Sequence, residues 1–276
     1  MRVSHPRVCW VIGSPVEHSL SPVIHNAAFD ALGLDWSYFA VAVPPGRAPA
    51  ALAAMRSLRL GGLSVTMPHK EAVAAAVDVV TPRAERLGAV NCVAWRGTQL
   101  EGDSTDGPGF LDALRVDHGW DPAGRRALVV GAGGAARAVI AALAAGGAAA
   151  VGVANRSAER AARAAALAGP VGQVAGPEAV DGADLVVNAT PQGMGGDTAL
   201  PVDPARLGPG QVVADLVYDP VETPLLAAAR AAGAVPVTGV GMLVHQAAHA
   251  FRRWTGEDPP VEVMSAAAVA ALAARH

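Results

Sequence analysis

Arg126-Ala127-Leu128-Val129-Val130-Gly131-Ala132-Gly133-Gly134-Ala135-Ala136-Arg137-Ala138 is the stretch that decides the fold. It opens with an unbroken apolar run, as a strand buried on both faces does. Gly-x-Gly-x-x-Ala follows from Gly131 to Ala136, and an alanine-rich helix follows that. Glycines at these positions permit a tight strand-to-helix turn and let backbone N–H groups approach a pyrophosphate. Gly131, Ala132, Gly133, Gly134 and Ala135 are therefore candidates for holding a dinucleotide. A glycine pattern alone is weak, and a tight turn with no ligand is the plain alternative. The strand before it and the helix after it give this one its meaning.

The next strand, residues 150–154, stops at Asn155-Arg156-Ser157. An acid at that strand end would hold the ribose 2′-hydroxyl of NAD. None is present. Arg156, with Asn155, Ser157 and Arg160 around it, suits a 2′-phosphate, so the expected cofactor is NADP. The plain alternative for Arg156 is a solvated cation at a helix start. Apolar strands recur at 183–187 and 212–217, and an apolar helix follows Gly239.

Upstream the same alternation appears. Strands are expected at 8–12, 37–43 and 62–65, with helices at 22–32 and 49–58 between them. A loop and strand at 88–95 pair with 100–103 as a hairpin. This pattern reads as an open α/β sheet, and ligands on such sheets gather beyond the carboxyl ends of the strands. Ser19, Ser21, Thr66, Lys70 and Asn91 all follow strands. Ser21-Pro22 reads as an N-cap and first-turn proline, and a helix end of that kind attracts anions. Pro68 is expected at the first position of another helix, which puts Lys70 in its first turn, where positive partial charge disfavours an ammonium.

Lys70 has a further distinction. Every other one of the 21 Lys and Arg positions is arginine. Guanidinium stays charged, whereas a lysine amine can give up its proton. A sequence that writes Lys once has either a use for a titratable nitrogen or a leftover surface residue in an arginine-biased composition.

Composition bounds the rest. The 276 residues suit two α/β domains, with a break near Asp106, and 52% hydrophobic content supplies a large core. A formal charge of -3 leaves no basic footprint, so nucleic acid is not an expected partner. Cys9 and Cys92 sit in apolar runs and read as small buried thiols of a reducing compartment. Residues 1–7 lack the apolar segment of a leader, and stretches such as 138–150 are short and broken by glycine, so a soluble cytoplasmic protein without a membrane span is expected. His245 and His249 stand four apart, but the glutamate of a metalloprotease helix is missing between them. No metal is expected. His18, His25 and His69 are read as hydrogen-bonding residues.

Taken together, the chain resembles the shikimate dehydrogenase family. The matching pieces are residues 13–26, 65–70, 88–91, 105–107, 131–136, 155–157, 188–194, 215–220, 223–226 and 239–251, in the family's order along nearly the whole chain. The resemblance implies an α/β substrate domain over 1–105, completed by C-terminal helices from 242–276, and a Rossmann-like NADP domain over 106–241. It implies NADPH-dependent, reversible reduction of 3-dehydroshikimate to shikimate. Lys70 and Asp106 would be the catalytic pair; Ser19, Ser21 and Tyr218 would hold the substrate carboxylate; Thr66, Asn91, Asp106 and Gln246 would bind the ring hydroxyls. Thr190, Leu216 and Gly239 would join the cofactor site, and a homodimer is an accompanying expectation. Whether Lys70 moves the proton alone or shares it with Asp106 stays open. Ser64 stands where the family commonly has Asn, and Ser104 stands before Thr-Asp where Asn is frequent. Ser21 fits shikimate better than the threonine of quinate-preferring relatives. The competing readings are a quinate/shikimate dehydrogenase of relaxed cofactor use and a non-catalytic NADP-binding regulator.

Overall fold

The computed structural model describes residues 7–275; the expectation about a leader falls on residues 1–6, outside them. The chain divides into two compact units, Met1–Thr105 with Gln246–His276, and Asp106–His245.

The first unit runs β1 (Arg7–Gly13), α1 (Ser21–Ala31), β2 (Trp36–Ala42), α2 (Ala48–Ser57), β3 (Gly62–Val65), α3 (Lys70–Ala74), β4 (Val79–Val80), α4 (Pro82–Leu87), β5 (Cys92–Arg96) and β6 (Gln99–Asp103). Its strands form one sheet in the order β2-β1-β3-β5-β6-β4. β1 lies parallel to β2 and β3, with Ile12 opposite Val65, while β5 runs antiparallel to β3, with Ser64 opposite Cys92. The reversal matters for the site: the entry to β5, at Asn91, lies at the same end of the sheet as the exits of β1 and β3.

The second unit contains α5 (Asp106–Asp112), a π-helical turn at Ala113–Asp117, β7 (Arg126–Val130), α6 (Gly134–Ala145), β8 (Ala150–Ala154), α7 (Ala158–Ala165), β9 (Gly172–Val174), β10 (Leu185–Asn188), β11 (Val212–Asp215), α8 (Pro224–Ala231) and β12 (Val235–Val237). All six strands are parallel, in the order β12-β11-β10-β7-β8-β9. The order reverses between β7 and β10, which is the switch point where doubly wound sheets bind ligands. Two helices complete the chain, α9 (Gly239–Thr255) and α10 (Val261–Ala273). Residues 239–245 of α9 belong to the second unit; the rest of α9 and all of α10 belong to the first.

Each sheet is covered on both faces, as its apolar runs require. In the first unit Ile12, Leu52, Met55, Leu63, Val65 and Val93 form one core. An aromatic cluster, Phe29, Tyr38, Phe251 and Trp254 around His25, packs elsewhere in that unit. The Trp254 indole occupies the space a Cβ on Gly62 would fill, and its Nε1 donates to the Val93 carbonyl at 3.0 Å. This close approach of ring to strand explains the glycine pair at Gly61-Gly62; Trp36 crowds Gly61 in the same way. Arg253 on α9 pairs with Glu101 at 2.5 Å and Asp103 at 3.0 Å, and α10 packs on α1. The C-terminal helices thus return to the first unit. In the second unit Val129, Ile140, Leu143, Val151, Val153 and Val187 are among the core residues.

Four local expectations are revised. Leu20, not Ser21, is the N-cap of α1; Ser21 is the first helical residue. Pro68 lies in the turn before α3, and Lys70 itself is the first helical residue. α3 has five residues, so little dipole accumulates there. The helix expected from Pro108 begins at Asp106 and loosens into the π-helical turn. The sequence reading also passed over α4 and α8 and gave α7 only a start near Arg156, although each carries an N-cap hydroxyl: Thr81, Ser157 and Thr223 accept from the backbone N–H three residues on, at 3.3 Å in each case. Thr81-Pro82 and Thr223-Pro224 are signals that could have found two of them.

Candidate active site

In the first unit the expected residues collect at one end of the sheet. The exit of β1 leads through Gly13 to Ser19 and Ser21. The Ser19 hydroxyl accepts from the Ser21 N–H at 3.3 Å, so it supplies the local cap that Leu20 cannot. Ser21 is buried and Ser19 half-buried. The exit of β3 leads to Thr66, whose N–H donates to the Ile12 carbonyl at 2.9 Å. Thr66 Cγ2 fills the space where Gly13 would carry a Cβ, so any side chain at 13 would displace Thr66.

Lys70 is held by its neighbours rather than by helix length. Its carbonyl accepts from Val90 N–H at 3.0 Å. Just before it, His69 is 1% exposed, and its Nε2 lies 2.7 Å from the Val43 carbonyl. A carbonyl only accepts, so Nε2 carries the proton. The His69 N–H in turn donates to Thr66 O at 3.0 Å. The turn 66–70 is thereby pinned to β1, to the chain after β2 and to the loop before β5. Asn91, 5% exposed, stands in that last loop. Its Oδ1 accepts from Thr105 N–H at 2.7 Å and its Nδ2 donates to Thr105 Oγ1 at 3.0 Å. Thr66, Lys70 and Asn91 are thus joined through backbone bonds. Gln246 also belongs to this unit, on α9.

Asp103 and Tyr38 are supporting residues that the sequence reading did not single out. Asp103 is fully buried; Thr81 Oγ1 donates to it at 2.6 Å, Arg83 Nη2 at 2.6 Å, and Ser104 N–H at 2.8 Å. Burial works to raise its carboxyl, but Arg83, Thr81 and Arg253 overcome this and hold it below the usual carboxylate range. Tyr38 is 1% exposed, with its hydroxyl flanked by Ser64 and Ser21, and burial pushes that phenol well above its ordinary range. His25 stacks on Tyr38 with centroids 4.4 Å apart; burial lowers its imidazole to about 3, so it is a neutral member of the aromatic core. Cys9 and Cys92 are unbonded buried thiols, both shifted upward by burial, Cys92 to about 12. His245 faces Asp117 at 3.0 Å.

The second unit holds the remaining candidates at the carboxyl ends of its strands. Gly131 has φ +119° and sits so close to Ala189 that a Cβ would come 2.7 Å from its carbonyl oxygen. Gly133 has open space where a Cβ would stand, and among the described residues no side chain caps α6 and no acid lies in its first turn. Those N–H groups are free of side-chain competition for a phosphate. After β8, Asn155 Nδ2 donates to the Ser157 carbonyl at 3.1 Å, while Arg156 and Arg160 are exposed. The Ser157 hydroxyl caps α7 through the Arg160 N–H. These features fit an NADP-type dinucleotide. Thr190 follows β10, Leu216 and Tyr218 follow β11, and Gly239 opens α9; a Cβ on Gly239 would come 2.7 Å from the Leu216 and Val217 carbonyl oxygens. Asp106, 8% exposed, opens α5 and belongs to this unit.

Comparison with known proteins agrees along the chain. Residues 11–93 match the shikimate dehydrogenase substrate binding domain, residues 116–192 the shikimate/quinate 5-dehydrogenase family, and residues 239–269 the shikimate 5′-dehydrogenase C-terminal domain. The chain is 49% identical to the NADP(+) shikimate dehydrogenase of Citrifermentans bemidjiense, covering 96% of both chains. Shikimate 5-dehydrogenase from Thermus thermophilus, solved with NADP(H) and shikimate, superposes with a TM-score of 0.90 at 41% identity, covering 96% of this chain and 99% of that one. Quinate dehydrogenase from Corynebacterium glutamicum, solved with NAD, superposes with a TM-score of 0.89 at 32% identity, over 96% and 99%.

Proposed function

The chain belongs to the shikimate dehydrogenase family, and we propose that it catalyses the reversible NADPH-dependent reduction of 3-dehydroshikimate to shikimate, with Lys70 and Asp106 as its catalytic pair. The observation that carries the assignment of Lys70 is its setting. The single lysine of the chain stands at the exit of β3, with its carbonyl bonded to Val90 and the preceding His69 anchored to Val43.

The chemistry follows from the residues. Ser19 and Ser21 present two hydroxyls at the start of α1, and with Tyr218 they orient the substrate carboxylate. Thr66, Asn91, Asp106 and Gln246 hold the ring hydroxyls and so fix which ring carbon faces the cofactor. Gly131 to Ala135 carry the pyrophosphate on backbone N–H groups, Arg156 takes the 2′-phosphate with Asn155, Ser157 and Arg160, and Thr190, Leu216 and Gly239 line the remainder. NADPH, when bound, supplies the hydride. Reduction of a ring ketone leaves an alkoxide, and Lys70 Nζ gives it a proton; oxidation runs the same transfer backwards, with Lys70 Nζ accepting. Asp106 orients the reacting hydroxyl. Two finer proposals accompany this one. The protein works in the cytoplasm, in keeping with two unpaired buried thiols. It forms a homodimer through β2, an edge strand that leaves Phe39 52% exposed. A monomeric mass by light scattering at micromolar concentration would overturn the dimer. No helix among the described residues is long and apolar enough to cross a membrane.

The deciding experiment is a two-by-two assay of purified protein, shikimate or quinate against NADP+ or NAD+. Shikimate with NADP+ is expected to give the highest kcat/KM. Bound cofactor without turnover in any combination would replace the enzyme by a regulator on the same fold. Equal rates with NAD+ would remove the role of Arg156.

A further inference from the structure

The exits of β10 and β11 are tied together by side chains that the proposed mechanism does not use. Asp215, 1% exposed, ends β11. Its Oδ1 accepts from Asn188 Nδ2 at 2.9 Å and from Val217 N–H at 3.0 Å. Its Oδ2 accepts from Thr223 Oγ1 at 2.7 Å. Asn188, also fully buried, continues the chain: its Oδ1 accepts from Thr190 N–H at 3.0 Å and from Thr190 Oγ1 at 2.7 Å. Asn188 Nδ2 also reaches the Gln192 carbonyl at 3.1 Å, and Thr190 Oγ1 accepts from Gln192 N–H at 3.2 Å.

Every donor here has an acceptor of fixed identity. Asp215 as a carboxylate can only accept, and three donors converge on it, from three different segments. Turning any of them means leaving a buried polar group unpaired, which costs more than the bond itself contributes. The segments fixed in this way carry the nicotinamide side of the cofactor site. Thr190 adjoins the Ala189 carbonyl that crowds Gly131, and Leu216 and Val217 supply the carbonyls that crowd Gly239. A dinucleotide held at this switch point, with Arg156 after β8 taking its 2′-phosphate, would leave these loops on β10 and β11 to its other half.

We infer that Asp215, with Thr223 and Asn188, is a positioning residue for the nicotinamide half of the cofactor: it touches no ligand, but it holds the loops 189–192 and 216–218 in one arrangement. This rests on the proposed NADP site. The group is built from neutral donors, so the carboxylate lacks the arginine partners that hold Asp103.

The test is calorimetric binding of two probes, NADP+ and 2′,5′-ADP, to the full chain and to Asp215→Asn, Thr223→Val and Thr223→Ser. In Asp215→Asn the charge is lost, and the amide N–H₂ can face only Thr223 Oγ1, the one partner of the three able to accept, so that the hydroxyl no longer donates. Its NADP+ affinity is expected to fall about tenfold, as the loss of one charge-assisted bond predicts. Its 2′,5′-ADP affinity should stay within about twofold. Thr223→Val should behave as Asp215→Asn does, and Thr223→Ser, which keeps the hydroxyl, should restore binding. Equal weakening of both probes would mean general damage and would overturn the proposal, as would unchanged NADP+ binding in both Asp215→Asn and Thr223→Val. Failure of the unsubstituted protein to bind either probe would instead overturn the cofactor site on which the proposal depends. If Asp215→Asn does not fold, the Thr223 pair decides alone.

Discussion

Asp103 and Asp215 are both buried aspartates at the carboxyl end of a strand, one in each unit, and they are satisfied in opposite ways. Asp103 meets two arginines, a hydroxyl and a backbone N–H. Asp215 meets an amide, a hydroxyl and a backbone N–H, with no cation. The consequence appears in their acidities. Asp103 is buried but held below the carboxylate range by Arg83, Thr81 and Arg253. Asp215 is raised by burial, and the bonds from Val217, Thr223 and Asn188 offset this only in part. In the first unit the carboxylate helps to fasten α9 to the sheet, which calls for strength. In the second it aligns loops beside a site for an anionic cofactor, where a nearby arginine would offer the phosphates a competing partner.

The largest test of this division concerns the chemistry itself. Lys70→Ala should lower kcat by about 10²–10⁴-fold, the usual range for a positioned acid–base group, with NADP+ affinity unchanged by titration. Lys70→Arg should be nearly as poor, because guanidinium does not titrate. Near-normal turnover in the Arg variant would remove proton transfer from the first unit.

Next in size is Asp103→Asn, which leaves Arg83 and Arg253 facing an amide. Breaking a buried ion pair costs about 3–5 kcal/mol, and the partly exposed Arg83 puts the expected loss near the lower figure. Urea midpoints would measure it. A loss below about 1 kcal/mol would show that the charges are not what fastens the helix.

Arg156→Asp should weaken NADP+ by roughly 10–100-fold and NAD+ far less, the loss of one or two charge-assisted bonds. Equal weakening would mean that Arg156 does not meet the 2′-phosphate.

The smallest effect is on the pH dependence of stability, where the two aspartates differ in sign. The folded value of Asp103 lies below its unfolded one, so its contribution is present above the ordinary carboxylate range and is lost as pH falls through the folded value. The folded value of Asp215 lies above its unfolded one, so stability is greatest below the ordinary range and declines as pH rises through the folded value. Asp103→Asn should therefore flatten the acid-side loss of stability, and Asp215→Asn should remove a decline that sets in as pH rises above the ordinary carboxylate range. Urea midpoints across that range, moving in the same direction for both variants, would sink the distinction.

The site was legible in the sequence wherever a residue type is tied to local backbone chemistry. Gly131 announces a turn that tolerates no side chain, a single lysine among arginines marks itself, and the missing acid after β8 is visible without coordinates. The partners of the supporting residues were not legible for a common reason. His69 bonds to Val43, Asp103 to Arg253, and Asn188 to Asp215, partners 26, 150 and 27 positions away. Ser21 was misread as a cap because the helix starts one residue earlier, at Ser21 itself, whose N–H is taken by the Ser19 hydroxyl.

What the sequence determined by itself was therefore the alternation of strand and helix, the two-unit plan and the family, since each follows from neighbours along the chain. What tertiary structure alone decided was the antiparallel turn that brings Asn91 to the Thr66 end of the first sheet, and which buried carboxylate is matched by cations and which by neutral donors. A buried charge is governed by what surrounds it in space, and the order of residues does not record that.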